Sequence, residues 1–135
     1  MVLLIDTNII LDYLLKREPF YNNAKAVMEK CCLDDFHGYI ALHTVTTLWY
    51  IMRRIPDDTR RLALKSLCEM LTVAGTTHEE VITALDNAKF KDFEDCILTK
   101  CAKTVNADYI VTRNKPDFMF SEITAVSPEE LNGLF

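Results

Sequence analysis

Short apolar runs alternate with longer stretches of helical periodicity along the whole chain. VLLID, residues 2–6, is a compact run of branched residues and reads as a strand. Ile9, Ile10, Tyr13 and Leu14 follow at helical spacing, and that face ends before Pro19. A second helix is expected from about Tyr21 to Leu33, with Ala24, Val27, Met28 and Cys31 on its buried side. YIAL (39–42) reads as the second strand, and Leu48, Trp49, Ile51 and Met52 as part of a third helix that stops before Pro56. DDTRRLALKSLCEML opens on capping acids and offers Leu62, Leu64, Leu67, Cys68 and Leu71 as a buried face. LTVAG is the third strand, Thr77 opens a helix through about Asn87, and DFEDCILTKCAKTV opens another. DYIVT (108–112) and EITAV (122–126) are the fourth and fifth strands. In the closing SPEEL, Ser127 is the N-cap, Pro128 holds the first helical position and Glu130 completes a capping box.

Strands separated by helices, often two at a time, require a mostly parallel sheet covered on both faces. The expected fold is therefore α/β: a Rossmann-like three-layer α/β/α sandwich around a sheet of about five strands. A chain of 135 residues with three glycines, four prolines and no low-complexity tract is one domain, residues 1–135. No apolar run approaches the roughly 18 residues of a membrane helix. No basic, apolar and small-residue leader precedes the first strand, so a cytoplasmic location is expected. Five cysteines without CxxC spacing read as reduced thiols, Cys96 and Cys101 as core residues. His37, His43 and His78 match no zinc spacing and read as structural or surface residues. His78 lies in THEE, where Thr77 and Glu80 form a capping box. A net charge of −5 argues against nucleic-acid binding through bulk charge, unless bound cations offset a local cluster of acids.

Asp6, which ends the first strand, has two readings. It caps the helix that follows, or it lies at the carboxyl end of a parallel strand, where open α/β sheets place their sites. Asp92, Glu94 and Asp95 open a later helix; acids there suit the helix dipole, but Asp92 and Asp95 also share one face, away from Phe93 and Ile97. Thr112 and Arg113 end the fourth strand, and Asn114 and Asp117 follow in its loop. Asn-x-x-Asp is common turn chemistry, yet that loop and Asp6 both leave carboxyl ends of strands expected to be neighbours. Carboxylates converging there without histidine or cysteine suit a hard, oxygen-preferring cation such as Mg²⁺ or Mn²⁺.

DTNIILDYLLKR and DFEDCILTKCAKTVNADYIVTRNKPDF together resemble the two signature blocks of the PIN domain family. These are small metal-dependent ribonucleases that include the VapC-type toxins of toxin–antitoxin pairs, and the resemblance covers essentially the whole chain. It implies that Asp6, Asp95 and Asp117 bind one or two Mg²⁺ or Mn²⁺ ions, with Glu94 or Asp92 assisting. It further implies that Thr112 and Asn114 orient ligands or water, and that Asn8 braces the carboxylate of Asp6. RNA is the implied substrate, and a second copy of the chain and a small antitoxin are the implied partners. In one respect the chain departs from the family pattern. Another acid usually opens the third helix, and here Thr47 stands near that place, with no Asp or Glu between Asp35 and Asp57. Either the other acids suffice, or the domain is a catalytically weakened module that binds RNA or protein.

Arg53, Arg54, Arg60, Arg61 and Lys65 flank the third and fourth helices, and Arg113 and Lys115 lie beside Asp117. Arg113, Lys115, Arg53 and Arg54 are the candidates for phosphate contacts, whereas Arg60, Arg61 and Lys65 read as a solvated helix surface. Trp49 and Tyr50 read as core or dimer surface rather than as base-stacking groups. Two rival folds lack a required acid: a haloacid-type phosphatase needs DxD after the first strand, where Asp6-Thr7-Asn8 ends in asparagine, and a receiver domain needs an aspartate ending LTVAG.

Overall fold

A computed structural model describes residues 1–135. Five parallel strands form one sheet in the order β3-β2-β1-β4-β5: β1 (Val2–Ile5), β2 (His37–Ala41), β3 (Thr72–Ala74), β4 (Tyr109–Val111) and β5 (Thr124–Val126). The chain builds outward from β1 to β3, then crosses back and continues from β4 to β5 on the other side of β1. The direction reverses between β1 and β4, and in such sheets the crevice at the carboxyl ends of those strands is the binding position.

β1 shows why its run is apolar without interruption. Leu3, Leu4 and Ile5 are all fully buried, but Leu3 and Ile5 face one core and Leu4 the other, as a period of two dictates. Each such burial contributes about 1.5–3 kcal/mol. The first core receives α1 (Thr7–Leu14), α2 (Tyr21–Lys30), α3 (Leu42–Ile51), α4 (Asp57–Met70) and α7 (Pro128–Leu134), through residues such as Ile9, Met28, Leu48, Leu67 and Leu131. The second receives α6 (Phe93–Thr104) through Leu98, Cys101 and Ala102, with α5 (His78–Leu85) packed outside it through Ala84. The three-layer arrangement is the expected one. Both capping boxes, Thr77 with Glu80 and Ser127 with Glu130, are formed. All five cysteines are free, with Cys96 and Cys101 buried. No helix is long and apolar enough to cross a membrane.

The differences from the expected elements have local causes. Leu42 starts α3 instead of ending β2, and its side chain is exposed. The second helix ends at Lys30, three residues before Leu33. Leu64, Leu67 and Leu71 follow one stripe of α4, whereas Leu62 points outward at 67% exposure and Cys68 is also exposed. Five residues separate Leu62 from Leu67, which turns it roughly 140° away around a helix of 3.6 residues per turn. Strand β4 is one residue shorter than DYIVT at each end, where side chains add bonds to the neighbouring strand: the carboxylate of Asp108 accepts from Val2 N at 2.7 Å, and the hydroxyl of Thr112 turns to Asp6.

Candidate active site

Asp6 is at once a cap and a site carboxylate. Its Oδ1 accepts from Thr7 N at 2.7 Å, capping α1, while Oδ2 accepts from Thr112 Oγ1 at 2.8 Å across the β1–β4 seam. The residue is 7% exposed and pairs with no lysine or arginine. Burial raises its pKa, and the two hydrogen bonds work against that shift. Asp92 is the N-cap of α6, accepting from Glu94 N at 2.7 Å. Glu94 and Asp95 occupy the first turn of the same helix. Asp117 stands exposed in a 3₁₀ turn, Lys115–Phe118, that leaves β4, its backbone N held by Asn114 O at 3.0 Å.

These elements bring the acids to one place, and Asp95 records it. Its pKa is pushed up to about 7, first by desolvation and then by the like charges of Asp92, Asp6, Asp117 and Glu94. No lysine or arginine forms an ion pair with any of the five; His43 Nε2 lies 3.7 Å from Glu94 Oε1. Such a cluster is relieved by a proton or by a cation, and its donors are all oxygen, the set a hard divalent ion takes. No three side chains stand as a ready-made cation cage. The carboxylates of Asp6 and Asp92 are instead tied to backbone and hydroxyl donors. An ion that keeps several waters and takes few protein ligands fits such an open arrangement.

A family model described as "PIN domain" matches residues 2–116. The chain belongs to the PIN domain family. No curated protein matches it in sequence. Among similar solved structures, that of VapBC-1 from nontypeable Haemophilus influenzae is 19% identical, covers 96% of this chain and 99% of that one, and gives a TM-score of 0.72. FitAcB from Neisseria gonorrhoeae is 19% identical over 96% and 99% of the two chains, with a TM-score of 0.69. VapBC2 from Rickettsia felis, bound to a DNA fragment from the promoter, is 18% identical over 94% and 98%, with a TM-score of 0.66. At these identities the likeness shows the fold. The matched segment of this PIN domain contains Asp6 and the Asp92–Asp95 turn and ends one residue before Asp117.

Around the acids, the expected supporting residues divide. Thr112 holds Asp6, and its Oγ1 also accepts from Asn114 N at 3.0 Å. Asn8 makes no hydrogen bond to Asp6; the backbone of Thr7 takes that place, because a helix N-cap bonds the amides just after it. The Thr7 hydroxyl instead meets Thr44 Oγ1 at 3.0 Å, which ties α1 to α3. Thr47 is half-buried and lines a groove of about 540 Å³ with His43, Phe93, Glu94 and Ile97. On the other side of the acids, a cleft of about 430 Å³ is lined by Asp92, Asp95 and Asp117 with Lys89, Lys91 and Phe120.

The expected phosphate-binding cations are largely engaged elsewhere. Arg113 forms a two-point bond with Asp12, Nε to Oδ2 at 2.7 Å and Nη2 to Oδ1 at 3.3 Å, and stacks on Phe20 at 3.9 Å. Lys115 Nζ pairs with Glu130 at 2.6 Å. Arg53 packs over its own helix neighbour Tyr50, at 4.4 Å from the ring centroid, and Arg54 is exposed. Arg60 is not a solvated surface residue: it lies 3.7 Å over the Trp49 ring and donates to Trp49 O at 3.0 Å.

Three groups escaped the sequence reading. Asp12 is completely buried and binds both Arg113 and Arg17; the signal was an acid inside the apolar run IILDYLL. Lys89 and Lys91 lie beside the acids, in a segment too irregular for periodicity to orient. His43 sits one helical turn before Thr47 and so shares its face of α3. Burial lowers its pKa, partly opposed by the charge of Asp6.

Proposed function

We propose that this PIN domain is an endoribonuclease that hydrolyses RNA phosphodiesters with Mg²⁺ or Mn²⁺, and that it is the toxin of a toxin–antitoxin pair. The observation that carries the reading is Asp95, set among Asp92, Asp6, Asp117 and Glu94, none of which forms an ion pair with a lysine or arginine. Asp6, Asp95 and Asp117 would hold the cation, with Glu94 or Asp92 beside them. When bound, the cation polarises the phosphodiester and lowers the pKa of a bound water. Thr112 holds Oδ2 of Asp6 while Thr7 N holds Oδ1, and together they fix the orientation of that carboxylate. Lys89 and Lys91 supply positive charge next to the acids, and Phe90 and Phe120 in the same cleft offer rings for unpaired bases. Arg53 and Arg54 lie just past the end of α3, and Arg113 keeps a structural role through Asp12.

VapBC2 of Rickettsia felis was captured on promoter DNA, and the other similar structures are likewise named as two-component assemblies. By extension, a small antitoxin and a second copy of the chain are this domain's partners, and the cytoplasm its workplace. The test is cleavage of a mixed RNA pool by purified protein in Mn²⁺, in Mg²⁺ and in EDTA, with Asp6→Asn as control. Cleavage lost with EDTA and in Asp6→Asn supports the reading; unchanged cleavage in Asp6→Asn removes these residues as the metal site. A second reading rests on Thr47, where α3 offers a hydroxyl and no acid: a weakened module that binds RNA or protein without cutting. RNA binding by folded protein with no cleavage in either metal would favour it.

A further inference from the structure

Three buried side-chain polar atoms have no hydrogen-bond partner: His43 Nε2, Arg60 Nε and Asn132 Oδ1. Arg60 is stacked on Trp49, and Asn132 lies on α7 with its amide on Asn23 O. Only His43 Nε2 lies beside one of the acids, Glu94. It lies 3.7 Å from Glu94 Oε1, too long for a hydrogen bond and close enough for both atoms to contact one small ion. Asp6 is near enough for its charge to act on His43. The start of α3 is fixed against that carboxylate, because Thr44, the next residue, bonds to Thr7, and Thr7 N bonds to Asp6. His43 and Thr47 are one turn apart and line the same groove with Glu94.

Resting on the metal-site reading above, we propose that His43 Nε2 is a nitrogen ligand to the divalent cation, standing in for the acid that α3 lacks at Thr47. An atom that can accept a bond, is shielded from water and is left unbonded is what a ligand looks like before its ion arrives. The substitution changes the chemistry of the centre. An all-carboxylate site suits Mg²⁺, whereas a mixed nitrogen and oxygen set shifts preference towards first-row transition ions.

The experiment loads the full chain with Mn²⁺ and reads nitrogen coupling to the bound ion by pulsed electron paramagnetic resonance, alongside calorimetric affinities for Mn²⁺ and Mg²⁺. The expected result is nitrogen coupling in the wild type and its loss in folded His43→Gln. Mn²⁺ affinity should fall on the order of tenfold in that variant, and Mg²⁺ affinity should change less. Bound Mn²⁺ without nitrogen coupling overturns the role of His43 and leaves the carboxylate site standing. No bound Mn²⁺ overturns both. Coupling that persists in His43→Gln also overturns the proposal. Should His43→Gln fail to fold, the variant lacking His37 and His78 decides: coupling retained there supports His43, and coupling lost refutes it.

Discussion

Replacing Thr112 with valine removes one hydroxyl and keeps the shape of a fully buried side chain. Two hydrogen bonds disappear with it. Asp6 Oδ2 loses the donor at 2.8 Å that opposes its burial, and Asn114 N loses its acceptor at 3.0 Å. A hydrogen bond to a charged group contributes about 1.5–3 kcal/mol, and a neutral one about 1. The expected loss is therefore roughly 2–4 kcal/mol of unfolding free energy in EDTA at neutral pH, a sizeable part of the 5–15 kcal/mol that holds a typical domain. Urea denaturation followed by circular dichroism measures it, with an unchanged m-value showing that the same surface is exposed. Thr99→Val is the control. Its hydroxyl bonds back to Asp95 O at 3.0 Å within α6, a contact that adds little to a helix whose amides already serve that carbonyl. A Thr112→Val loss below about 0.5 kcal/mol, or one no larger than the control's, would show that Asp6 is adequately solvated without Thr112, and would refute the account of the buried carboxylate.

Three further outcomes follow from the same contacts. The pKa of Asp95 is about 7 in the folded chain against an ordinary 3.8, so between these values the folded state holds a proton that the unfolded state has released. In EDTA, stability should therefore fall as pH rises from about 4 to 7, with Asp6 and Glu94 shifted in the same direction. Glu80 and Glu130, whose pKa values are lowered, contribute stability that is lost only as pH falls below the usual carboxylate range; thermal melts across pH that show no decline towards 7 would contradict the crowding of the acids. Asp12→Ala leaves Arg113 without its two-point partner beside a buried surface and should cost about 3–5 kcal/mol in denaturation, while Arg17→Ala, at the more exposed end of the same hub, should cost under about 1. Gly38→Ala should destabilise by about 1–3 kcal/mol, because the added methyl meets Leu71 Cδ2 and lies 2.7 Å from Cys31 Sγ; an unchanged melting temperature would mean that α2 or α4 yields freely.

The layers were legible because periodicity reports burial. VLLI, YIVT and the capping signals of THEE and SPEEL each describe a local choice that the tertiary fold keeps. The faces of α4 were less legible, since seven apolar residues in fifteen fit more than one stripe and only packing into the core selects Leu64, Leu67 and Leu71. At the site, Asp6, the Asp92–Asp95 turn and Asp117 could be singled out because acids at element ends are visible in one dimension. Thr112 is expected from the sequence to orient a ligand or water, and its bond to Asp6 emerges only with the fold. What single-chain patterns do not carry is which cation answers which acid. Arg113 stands beside the acids in sequence and binds Asp12 in space, and Lys89 and Lys91 reach the cleft from a loop with no periodic signal. His43 reads in sequence as a structural or surface residue because a histidine one residue into an apolar helix shows no ligand spacing until its neighbours are placed.

The seam between β1 and β4 joins parts of the chain that are made far apart in time. Thr112 and Asp6 are 106 positions apart, and Asp6 N itself bonds to Val111 O at 3.0 Å. During synthesis the first strand emerges early, with its carboxylate lacking the hydroxyl that fixes it and the acids that surround it. The β1–β2–β3 half can pair and bury α1 to α4 before α6 exists, yet the acid set stays divided until β4 slots in beside β1. The acid set at the centre of the sheet is therefore assembled late, when β4 and the turn after it arrive. The same seam makes it divisible: a chain cut between β3 and α5 would carry Asp6 on one fragment and Asp95, Thr112 and Asp117 on the other, so that reassembly of the sheet and completion of the acid set would be a single event.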